Sequence, residues 1–138
     1  MIRDHKWLKI RLETIWQKHF PDVKIANDVY VKFGRKSMTR LGSIKHGRKC
    51  DNPNTIITIN GYFTDEEIPE YVVDAVLAHE LTHYAQGFFH PDGPKVRYPH
   101  KGGIVNREMC DRGLVDLLKA EKKWVKLNWR DYIKKHHF

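Results

Sequence analysis

The sequence predicts a single α+β domain spanning residues 1–138, with one N-terminal helix, a short and mostly antiparallel sheet of about three strands, and further helices after it. Three observations predict this. Apolar residues recur at helical spacing near both ends of the chain, whereas β-branched residues cluster in short stretches between residues 28 and 60. A chain of 138 residues with 41% hydrophobic content is long enough to bury one core and too short for two. The 12% aromatic content, including four Trp, excludes a disordered chain.

Trp7, Leu8, Leu12, Ile15, Trp16 and Phe20 mark a first helix from about residue 3 to 19, stopped by Pro21. Residues 28–33 read as a strand ending at Gly34, residues 39–46 as a second extended piece, and residues 55–60 as a third; residues 47–54 form the turn between the last two. Thr64 followed by Asp65, Glu66 and Glu67 has the pattern of a capping box, which predicts a helix from about 65 to 86 with Pro69 near its start and Gly87 at its end. Ile68, Tyr71, Val72, Ala75 and Val76 mark its apolar face. His90 to Pro94 and Tyr98 to Gly103 belong to an irregular connection. Val105, Met109, Leu114, Leu117 and Leu118 then define another helix, and Trp124, Val125, Trp129, Tyr132 and Ile133 a last one, in a basic helical part from about 119 to 138. There is no internal repeat and no low-complexity segment.

The chemistry concentrates in Val76-Leu77-Ala78-His79-Glu80-Leu81-Thr82-His83-Tyr84. Four-residue spacing on a helix puts His79 and His83 on one face, where both imidazoles reach one Zn²⁺ ion, while Glu80 stands beside the ion. Zinc held by three protein ligands keeps a position open for water and lowers its pKa to about 7, and a neighbouring carboxylate can take the proton. That is the requirement of metal-assisted peptide hydrolysis, with Glu80 as the base. For the third ligand the candidates are His100, Glu108 and His90. The chain after His83 has room to turn back before His100, Glu108 offers a carboxylate from the next helix, and His90 leaves little chain for the reversal. Tyr98, His90 and Arg97 are candidates to steady an oxyanion, and Asp74 and Asp111 to orient a ligand histidine, although a salt bridge or an exposed position is the simpler role for either acid. The strand holding Leu41 and Gly42 is a candidate edge for pairing with an extended substrate. Gly42 would equally suit a bulge.

Net charge is +8, and its distribution is uneven. No Lys or Arg occurs between Asp51 and Pro94, and no acid between Val29 and Cys50, where Lys32, Arg35, Lys36, Arg40, Lys45, Arg48 and Lys49 fall. A second basic set in the tail includes Lys122, Lys123 and Lys126. Such surfaces fit DNA contacts or serve solubility alone. No run approaches a membrane span and the N-terminus lacks an apolar signal stretch, so an intracellular, cytoplasmic setting is expected, with nucleoid or nucleus included. Cys50 and Cys110 are too few and too distant for a disulfide scaffold or a zinc ribbon and are expected as free thiols.

Thr39-Arg40-Leu41-Gly42-Ser43, Ile59-Asn60-Gly61-Tyr62, Val73 through His83, and then His100 followed by a helix occur in an order that resembles the SprT-like metalloprotease domain, a family whose eukaryotic members include Spartan. The resemblance covers roughly residues 3 to 118. It implies a small zincin-like fold, His79, His83 and His100 as zinc ligands, and Glu80 as general base. The Lys101-Gly102-Gly103-Ile104-Val105 segment departs from the family's usual acidic and aromatic continuation. Several relatives cleave proteins crosslinked to DNA. The expected function is a zinc-dependent metalloendopeptidase with a protein or peptide substrate, including proteins bound or crosslinked to DNA. The alternatives are a DNA-binding module with a structural zinc and a metallopeptidase without a nucleic-acid role.

Overall fold

The structure is a computed structural model and describes residues 2–47, 54–87 and 103–136. Helix α1 (His5–His19) opens with Asp4, whose carboxylate accepts the Trp7 N–H at 2.8 Å, and buries Leu8, Leu12 and Ile15. Three strands follow, β1 (Val29–Phe33), β2 (Gly42–His46) and β3 (Thr55–Ile59). The sheet order is β1-β3-β2, so β3 is central, with Thr55, Ile57 and Ile59 buried. β2 pairs with β3 antiparallel, but β1 pairs with it in parallel, Val31 opposite Ile57. The sheet is therefore mixed rather than mostly antiparallel. β-branched composition marks a strand and carries no information about its direction.

After β3 a 3₁₀ turn (Gly61–Thr64) leads to helix α2 (Glu70–Ala85). The predicted start at 65 is corrected to 70. Thr64 does not cap the helix but donates to Gly61 O at 2.9 Å, and Asp65 accepts the Glu67 N–H at 2.9 Å. Pro69 disfavours helical backbone at the residue before it, so the helix begins only after Pro69, which serves as its N-cap. α2 is also not the one-faced amphipathic helix its sequence suggests. It is buried on nearly every side, from Val72 through Ala78 on one stretch and from Glu80 to Tyr84 on the next, with Asp74 and His79 only half-buried, whereas Tyr71 is exposed.

Helix α3 (Ile104–Asp111) and helix α4 (Val115–Trp124) are separated at Gly113, whose φ of 81° lets the Leu114 N–H reach Met109 O at 2.9 Å and end α3. α4 continues through a π turn (Val125–Trp129) into helix α5 (Arg130–His136). The π turn directs Trp129 inward, where it packs edge-on to Phe63, stacks on Tyr132, and donates Nε1–H to Met38 O at 2.8 Å. The core lies between the sheet, α1 and α2 and is closed by Met109, Leu114 and Leu118. No helix among the described residues is long and apolar enough to cross a membrane.

Candidate metal centre and substrate cleft

α2 supplies the chemistry because four-residue spacing stacks one turn over the next. His79 is half-buried and His83 buried, their rings lie at 78° to one another, and their Nε2 atoms are 3.3 Å apart. That separation is within hydrogen-bonding distance and also matches the roughly 3.3–3.4 Å between two nitrogens on a tetrahedral metal with bonds of about 2.0–2.1 Å, so the pair could hold such an ion. Ligand atoms of His79, Glu80 and His83 all lie within 4.8 Å of one another. Glu80 is only 5% exposed, and burial pushes its carboxyl up to about 7, with the Arg40 guanidinium pulling in the opposite direction.

His79 and Glu80 open onto a cleft of about 610 Å³. Thr39, Arg40, Leu41 and Gly42 line one wall, Ala75, Val76, His79 and Glu80 of α2 form the floor, and Asn106 of α3 with Leu118, Glu121 and Lys122 of α4 form the other wall. Burial raises the Glu121 carboxyl above its usual range, opposed by Lys122. A second groove of about 570 Å³ shares Thr39, Arg40 and Gly42 with this cleft and is lined by Arg35, Lys36 and Lys45, so four of the cations between residues 29 and 50 meet on one surface beside it.

Gly42 sets the distance between sheet and helix. A Cβ there would stand 2.6 Å from Val76 Cγ1 and 3.5 Å from Glu80 Cγ. Gly42→Ala is expected to cost about 1–3 kcal/mol, the usual range for overpacking, and to displace Val76 and Glu80. Urea unfolding checks this, and an unaltered midpoint would show that the wall is free to move.

Among the predicted residues, Glu108 lies outside the histidine cluster. Its carboxylate accepts from Arg112 Nε at 3.0 Å and Gln86 Nε2 at 3.3 Å. Asp74 forms a two-point pair with Arg11 of α1 and does not orient a ligand histidine; Asp111 is exposed. Lys122 lines the cleft, and Lys123 and Lys126 are exposed on α4 and the π turn. His90, Arg97, Tyr98, His100 and Cys50 lie outside the described residues, and Cys110 is an exposed free thiol. Arg40, Asn106 and Glu121 were not singled out as site residues by the sequence. The run of cations without acids around Arg40 was the available signal. No protein-family model, no curated protein and no solved structure matches the chain.

Proposed function

We propose that the protein is a zinc-dependent metalloendopeptidase. The observation that carries this reading is the 3.3 Å separation of His79 and His83 Nε2 beside the buried Glu80 carboxylate, with His79 and Glu80 at the floor of an open cleft. His79 and His83 would hold the ion together with a third donor, which the likeness to the SprT-like domain assigns to His100. When bound, zinc supplies Lewis acidity and a water of lowered pKa. Glu80, next to His79 on the same helix, would serve as the base that takes a proton from such a water and returns it to the leaving amine. β2 is an edge strand whose first residue, Gly42, lines the cleft, so an extended substrate can lie along it by main-chain pairing.

The buried Glu80 favours hydrolysis over a purely structural zinc, which needs no such acid. A role on DNA-bound or DNA-crosslinked proteins is supported by the basic groove beside the cleft and by Lys122, Lys123 and Lys126. If these contact phosphates, DNA affinity will fall log-linearly and steeply with salt, and changing the three lysines to Glu will weaken it.

The test is metal content and cleavage measured together. The wild-type chain is expected to retain about one zinc after dialysis and to cut unfolded protein, and His83→Ala to retain almost none and to be inactive. A wild-type chain without stoichiometric zinc, or a zinc-loaded chain that cuts no unfolded protein, would overturn the proposal.

A further inference from the structure

Arg40 is placed with unusual care for an exposed cation. Its backbone N–H donates to Ser37 Oγ at 3.1 Å, and its carbonyl accepts from Asn60 Nδ2 at 2.9 Å. The same Asn60 amide donates to Ser37 O at 2.7 Å, and Trp129 Nε1 donates to Met38 O at 2.8 Å. Residues 37–40 are thus tied to the end of β3 and to the π turn, on elements remote in sequence. All of these ties involve main chain or the Ser37 hydroxyl. The Arg40 guanidinium itself makes no ion pair among the described residues, and it reaches the cleft, where its field acts on Glu80. Lys122 lines the same cleft from the opposite wall, on α4. The one acid in the lining besides Glu80 is Glu121, which is half-buried and lies next to Lys122 on the α4 wall of the cleft.

We propose that Arg40 and Lys122 form a cationic clamp across the cleft that selects peptides carrying an acidic side chain close to the scissile bond. This rests on the metallopeptidase reading and adds the substrate class to it. A peptide lying along β2 passes between the two walls, and its side chains near the reacting carbonyl come within reach of the guanidinium. A carboxylate there gains a charge-assisted hydrogen bond in a partly desolvated cleft, whereas a lysine at the same position is repelled. The fixed backbone around Arg40 removes the main-chain share of the ordering cost, so only the side chain has to be ordered when substrate arrives.

The experiment uses zinc-loaded full chain and a set of matched peptides with one cleavage site, in which each flanking position in turn is Asp, Ala or Lys. The expected result is a kcat/KM at least about tenfold higher for Asp than for Lys at one or two positions. Arg40→Glu should invert that order, Lys122→Glu should reduce it, and Arg40→Lys should keep it. Because the ties that hold residue 40 are made by its backbone, Arg40→Glu should unfold at nearly the wild-type midpoint, which is measured alongside. If wild type cuts all the peptides equally, or Arg40→Glu keeps the acidic preference, the clamp is overturned while the metallopeptidase reading stands. If Arg40→Glu weakens DNA binding and leaves the peptide order unchanged, the cation serves phosphate and the clamp is overturned. If zinc-loaded wild type cuts none of them and no unfolded protein either, both readings fall.

Discussion

Glu80→Gln is expected to leave about one zinc per chain and to reduce peptide cleavage by about a thousandfold or more, because the amide keeps the shape of the side chain and cannot accept the water's proton. The same variant carries a second, independent signature in metal-free protein. Burial lifts the folded-state pKa of Glu80 from 4.5 to about 7, so folding favours the neutral carboxyl. Its contribution to stability is complete below the unfolded value of 4.5 and is lost as pH rises from there toward about 7. At about 1.4 kcal/mol per unit, the wild-type chain should lose on the order of 3 kcal/mol across that window relative to Glu80→Gln, which has no proton to lose. Urea unfolding of both chelated proteins at acid pH and at pH about 8 measures the difference. A gap that does not widen with pH would mean that the carboxylate is solvated in the folded state. In the holoenzyme the nearby cation favours the ionised form, so the acid limb of kcat/KM should fall at lower pH than in metal-free titrations, with activity decreasing as the carboxyl is protonated.

How far the sequence reveals this molecule depends on whether the relevant physics is local. α1 is readable because Leu8, Leu12 and Ile15 repeat on one face, and β3 because its β-branched run is short and bounded. His79, Glu80 and His83 are readable because a single helix brings them together, and tertiary context only has to bury them. The start of α2 was misread because Thr64 and Glu67 make a capping pattern that Pro69 overrides from farther along the chain. The direction of β1 was missed because parallel pairing depends on the path of the intervening chain, not on the composition of the strand. Arg40 and Glu121 face one cleft from elements far apart in sequence, and no periodicity announces such a meeting. The pairing of Arg11 with Asp74 is equally invisible: both are plausible surface charges until α1 packs on α2.

Asn60 is the residue on which the cleft wall hangs, and Asn60→Asp should therefore be among the most damaging conservative changes in the chain. The side chain is buried at 4% exposure. Its oxygen accepts the N–H groups of Tyr62 at 3.0 Å and Ser37 at 3.3 Å, and its amide donates to the carbonyls of Ser37 at 2.7 Å and Arg40 at 2.9 Å. A carboxylate of the same shape keeps the accepting half and loses the donating half, facing two carbonyl oxygens with negative charge. The cost combines lost hydrogen bonds with a buried ion lacking a partner, and we expect about 3 kcal/mol or more in urea unfolding near neutral pH. Loss of these ties also frees residues 37–40, so substrate turnover should fall even below the denaturation midpoint, where the chain is still folded. Asn60→Asp within about 1 kcal/mol of wild type, with unchanged kinetics, would show that the segment before β2 is held by Trp129 and the sheet alone.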